Sequence, residues 1–192
     1  MVKKNKWRII LSAVLTLLPM LIGFILWNKL PDNMLTHWGS DGAADGSMSK
    51  LWAIILIPLI LTAVNLLVIF ATLLDRKSSE QNAKIIKIIF WIMPVLSLLV
   101  NGTMYSIALE GEFKILVILP LFLGILFIVL GNYTPKTTAN RTVGIKIYWT
   151  LANDENWNKT HRFAGKVWVA LGIILLVSAF HTLRLVPSVY YI

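Results

Sequence analysis

Five long apolar blocks leave this chain few folds to choose from. They run Trp7–Leu30, Leu51–Leu74, Ile85–Leu109, Lys114–Gly131 and within Ala164–Val186. Each can cross a hydrocarbon core of about 30 Å at about 1.5 Å per helical residue. In lipid every backbone polar group must be satisfied internally, so a spanning segment is a helix or a strand of a closed barrel. The blocks lack the apolar/polar alternation of barrel strands. The expected fold is an all-α integral membrane protein, a helical bundle of about five transmembrane helices. Composition agrees, with 57% of the 192 residues hydrophobic against about 45–50% in a soluble domain. Lys3, Lys4, Lys6 and Arg8 look like the start of a signal peptide. The apolar run after them is too long for one and no small-residue cleavage site follows, so it reads as a retained first span.

Charge orders the loops. The amino terminus has four bases and no acid, and the segment Lys29–Lys50 has two bases against Asp32, Asp41 and Asp45. Asp75–Lys87 has four bases and two acids, Glu110–Lys114 one base and two acids, and Gly131–Lys166 six bases and two acids. The sign alternates along the chain, and basic loops stay cytoplasmic. The expectation is a cytoplasmic amino terminus, with outer loops 31–50 and 110–114 and inner loops 75–87 and 131–166. This rule and anionic headgroups account for the net charge of +9. No nucleic-acid-reading motif is present, so the expected partner is the lipid bilayer and not nucleic acid. There is no cysteine, hence no disulfide or thiolate chemistry.

Inside the spans, Pro19, Pro58, Pro94 and Pro120 fall one to each of the first four helices. They read as kinks whose released carbonyls neighbouring helices satisfy. ILIPLIL (Ile55–Leu61) and VILPLFL (Val117–Leu123) align, and a sharper alternative is an internal repeat of two related helical hairpins. Few polar groups sit in the spans, among them Asn65, Asn101 and His181, and the asparagines call for interhelical hydrogen bonds. No carboxylate sits mid-span, which weighs against an ion-coupled pump.

The outer loop, LPDNMLTHWGSDGAADGSMSK (Leu30–Lys50), is broken into turns by Pro31, Gly39, Gly42 and Gly46. His37, Asp41 and Asp45 fall at spacings of four, but this much glycine disfavours the helix that would align them, and no glutamate closes a calcium loop. No metal site or cofactor is expected. Asp41 and Asp45 read as turn caps and Trp38 as a headgroup-level anchor.

The inner loop Gly131–Lys166 is polar and basic yet keeps Tyr133, Tyr148, Trp149, Trp157 and Phe163, so order is expected rather than disorder. Gly131-Asn132 reads as the stop of the fourth helix, and Pro135 bars its continuation. Val143–Leu151 reads as a short extended or re-entrant piece. Asn153 reads as an N-cap followed by Asp154 and Glu155, where the helix dipole favours acids. A helix from there into the fifth span places Trp157, His161, Ala164, Gly165, Trp168 and Gly172 on one face. The two tryptophans would bracket the interface, Arg162 and Lys166 would reach phosphates, and the glycines would admit a second helix. No nucleophile–base pair or phosphate-binding glycine loop accompanies His161, so no catalytic residue is assigned.

The run GNYTPKTTAN followed by GIKIYWTLANDENWNKTHRFAG resembles the hallmark of the SdpI-type immunity proteins, and the outer loop resembles the amino-terminal module that accompanies it. The chain departs from that pattern at Lys146, Ile147 and Tyr148, and it has five spans where the family commonly has six. The resemblance implies a non-enzymatic, multi-pass protein of the bacterial plasma membrane that protects against a secreted membrane-active peptide toxin. It also implies that some members hold a soluble cytoplasmic regulator at the membrane. The division expected is an amino-terminal hairpin over residues 1–74 and a signature region over 75–192. Candidate toxin or partner contacts are His37, Trp38, Asp41 and Asp45 outside, with Asn132, Pro135, Lys136, Asn140, Gly144, Trp149, Thr150, Trp157, His161 and Arg162 on the signature loop. The rival readings are a small transporter or lipid-handling protein using Asn65 and Asn101, a headgroup enzyme using His161, Asp154 and Lys136, and a pure sensor.

Overall fold

The computed structural model describes residues 2–39, 43–74, 83–109 and 115–185. Asp41 and the loops 75–82 and 110–114 lie outside the described residues. The long helices are α1 (Lys6–Ile25), α2 (Lys50–Leu74), α3 (Ala83–Ala108) and α4 (Ile115–Tyr133). A short helix α5 (Tyr148–Ala152) precedes the last one, α6 (Asp154–Leu185). Five helices among the described residues are long and apolar enough to cross a membrane. The first ends sooner than its apolar run, with a 3-10 turn at Trp27–Lys29.

The loop Leu30–Lys50 holds more order than its glycines suggested. It is an antiparallel β-hairpin, β1 (Asn33–Trp38) against β2 (Ala44–Ser49), bulged between Leu35 and His37. Met34 points into the protein, and β2 runs straight into α2. Asp45 is therefore a strand residue and not a turn cap. Its carboxylate meets His37 Nδ1 across the ladder at 2.5 Å, with both side chains more than half exposed.

The chain forms two compact units, one of residues 1–79 with 86–113 and the other of residues 80–85 with 114–192. The division thus differs from a boundary at residue 74. Most of α3 joins the first unit, and α4 packs on α6 in the second. The two hairpins of the suggested repeat are not the packing units.

In the first unit two apolar clusters sit at opposite ends of the helices. One joins Leu30, Met34, Ile54, Met104 and Tyr105, and the other Ile9, Ile69, Leu73, Ile86 and Phe90. Between them runs a buried polar seam. Pro94 has no amide hydrogen, so the carbonyl of Phe90, four residues back, lacks its helical donor. Ser12 Oγ on α1 donates to that carbonyl at 2.7 Å. Asn65 Nδ2 on α2 donates to Ser12 Oγ at 2.8 Å and to Thr16 Oγ1 at 3.3 Å. Ser97 Oγ on α3 donates to Thr16 O, and Asn101 Nδ2 donates to Ser97 O. Asn65 thus makes the interhelical bonds expected of it, whereas Asn101 bonds within α3 to Ser97, and the ties between α1 and α3 are made by Ser12 and Ser97. Sequence gave no sign that Ser12, Thr16 and Ser97 would be their partners.

Lys50 is a further residue that sequence reasoning missed. Its Nζ lies 2.9 Å from Leu30 O, 3.3 Å from Trp27 O and 3.1 Å from the exposed carboxylate of Asp32. A cation at carbonyls just past a helix end is well placed against the helix dipole. Lys50 therefore caps the end of α1 while it anchors the base of the hairpin.

Candidate functional site

The signature loop begins where α4 ends. The expected stop at Gly131-Asn132 is not used, since the helix continues to Tyr133 and a 3-10 turn at Thr134–Lys136 ends it at Pro135. Gly131 serves a close approach instead. A Cβ there would lie 2.7 Å from Gly165 O, and a Cβ on Gly165 would lie 2.6 Å from Gly131 O. Gly124 and Gly172 make the same kind of pair about two turns deeper. Small residues at such crossings let backbones meet, which is the packing available between helices in lipid.

Beyond Lys136 the loop folds back on the start of α6. Asn140 is buried and organises a tight turn. Its Oδ1 accepts from the amides of Thr142 and Val143, and its Nδ2 donates to the carbonyls of Thr138 and Val143. Gly144 follows with φ 121°, a region favourable to glycine. A Cβ at Gly144 would meet His161 Nε2 at 2.5 Å and the Trp157 ring at 2.8 Å.

His161 closes the loop. Ile145 N–H donates to Nε2 at 2.9 Å, so Nδ1 carries the proton and donates to Trp157 O at 2.8 Å. The ring stacks on Trp157 with centroids 3.9 Å apart. Trp157 Nε1–H donates to Thr137 O at 2.9 Å. Thr150 Oγ1 accepts from Ile147 N–H and lies 2.8 Å from Ile145 O. Val143–Leu151 is thereby a bend, a short extended run and the helix α5, not a uniformly extended piece. Asn153 Oδ1 accepts from Glu155 N–H at 2.7 Å as an N-cap, and α6 runs unbroken through the fifth span.

The candidate residues thus separate. Asn140, Thr150, Trp157 and His161 are buried together and form, with Gly144, the lock that holds the loop. Trp157 is 1% exposed, so it does not anchor an interface. His161 is fully buried with both nitrogens engaged, which leaves it no route to a headgroup substrate. Pro135 is half-buried against Gly165. Asn132, Lys136, Trp149 and Arg162 are exposed, with Lys136 Nζ over the Tyr133 ring at 4.8 Å. His37, Trp38 and Asp45 lie on the hairpin of the other unit. Among the described residues no cluster of His, Asp and Glu could hold a metal.

These features define a multi-pass helical membrane protein with a hairpin-bearing unit and a loop-locked helix pair. Residues 136–192 match the SdpI/YfhL protein family, and residues 14–62 match a domain of unknown function, DUF1648. The chain is 29% identical over 180 residues to the immunity protein SdpI of Bacillus subtilis (strain 168), covering 94% of this chain and 83% of that one. The chain is thus a bacterial multi-pass membrane protein similar to this immunity protein over most of its length, with the SdpI/YfhL match on its carboxyl-terminal part. No solved structure matches it.

Proposed function

We propose that this protein confers immunity on its own cell against a secreted, membrane-active peptide toxin. The observation that carries this reading is the likeness to an immunity protein along 94% of the chain, through both the hairpin module and the locked loop. The hairpin, with Trp38 and the exposed His37–Asp45 pair, is the surface we assign to toxin contact. The buried lock makes His161 a positioning residue that holds the loop on α6. A soluble regulator would find exposed polar side chains at Asn132 and Lys136, the feature that supports a signalling role.

Survival is the test. The chain is expressed in a sensitive strain lacking its own immunity protein, and a membrane-active peptide toxin of the matching type is titrated. Protection by the intact chain, lost in His161→Ala at equal membrane level, is expected. No protection at normal membrane level would refute the proposal and leave the small-transporter reading, which vesicle uptake measures.

A further inference from the structure

We propose that α5 and the first turns of α6 form a docking shoulder for anionic phospholipid headgroups. Four of the five residues of α5 are exposed, and Thr150 is its buried foot. Tyr148 is 86% exposed and Trp149 58%, and Phe163 on α6 is 71% exposed. Asn156 Nδ2 donates to Trp149 O at 3.4 Å, which sets α5 beside the face of α6 that bears Asn156. Phe163, seven residues on, lies on that same face. Lys146 just before α5 and Arg162 and Lys166 on α6 are exposed, and none of them forms an ion pair among the described residues. Exposed aromatic rings edged by cations are poorly suited to water, and they suit the boundary where apolar and anionic layers meet.

Length places this shoulder at that boundary. At about 1.5 Å per residue, α6 is about 48 Å long against a core of about 30 Å. Counting back from Leu185 by the roughly 20 residues that a span needs reaches Lys166. Arg162 and Phe163 then lie within the headgroup layer, and α5, which meets α6 at Asn156, lies on the water side of them. Charge selects the lipid, because the cations outnumber the acids here and Glu155 is already paired with Lys159 at 2.7 Å. A zwitterionic headgroup offers no net charge to answer them.

The experiment uses the purified full chain in mild detergent, titrated with phosphatidylglycerol or phosphatidylcholine while its thermal transition is followed. The transition is expected to rise with phosphatidylglycerol and not with phosphatidylcholine, because a ligand of the folded state stabilises it. Arg162→Gln and Lys166→Gln should each weaken the apparent phosphatidylglycerol affinity about fivefold, the contribution of one basic side chain near an anionic surface. Lys3→Gln/Lys4→Gln should keep the wild-type response. Equal responses to the two lipids, or wild-type affinity in the Arg162 and Lys166 variants, would overturn the proposal. A photo-crosslinking residue at Phe163 in cells supplies the second readout. A phospholipid adduct is expected, and a protein adduct in its place would assign the shoulder to a soluble partner and refute it.

Discussion

At the residue scale, the lock depends on geometry that few side chains allow. Gly144 combines a positive φ with contact to both His161 and Trp157. Gly144→Ala is expected to destabilise the carboxyl-terminal unit by about 1–3 kcal/mol, the usual cost of holding a non-glycine residue in such a region, as read by thermal melting in detergent. Lys50 makes a comparable single-residue case in the other unit. Its ammonium serves two carbonyls at the end of α1, while the Asp32 carboxylate beside it is exposed and contributes little. Lys50→Met should cost about 1.5–3 kcal/mol, as hydrogen bonds to charged groups do. Asp32→Asn should leave the melting temperature nearly unchanged.

At the scale of elements, the packing of α4 on α6 rests on glycines whose missing side chains are filled by backbone. Gly165→Ala pushes a methyl group to 2.6 Å from both Gly131 O and the Pro135 ring. The expected loss is about 1–3 kcal/mol, in the range of overpacked sites. Gly102 provides the contrast, since nothing lies within 4 Å of a Cβ built there on α3. Gly102→Ala should be neutral or stabilising by up to about 1 kcal/mol through helix propensity. If the two variants melted alike, helix propensity and not close approach would govern the α4–α6 pair. Proline shows the same principle in reverse. Pro94 leaves the Phe90 carbonyl without a helical donor, and Ser12 on α1 provides one, so the proline site is tied into the seam.

For the whole molecule, the orientation inferred from loop charge is directly measurable, because the chain contains no cysteine to remove. Ser47→Cys on the exposed part of β2 should react with an impermeant maleimide in intact cells. Lys136→Cys, at the far end of α4, should react only after the membrane is opened. The reverse pattern would invert the molecule and move the hairpin, with its assigned toxin surface, to the cytoplasm.

Sequence by itself determined the spans, because about 20 apolar residues in a row have one stable solution in lipid. It also determined the cap at Asn153 and the shared face of Trp157, His161, Gly165 and Gly172, since both follow from helical period and local chemistry. The resemblance of the signature run to a known family was readable for the same reason, as a string of residues in order. Tertiary structure alone decided what those residues do. Trp157 suits an interface on composition, yet it is sealed under the loop because Thr137 O, twenty residues away, accepts its indole proton. Gly131 suits a helix stop, yet it serves a crossing because Gly165 on another helix comes to it. The hairpin was hidden by its glycines, since a bulged ladder is set by cross-strand pairing and by Met34 settling into the core. Period, length and capping are local properties, whereas the partner of a buried polar group is a distant residue that no single segment specifies.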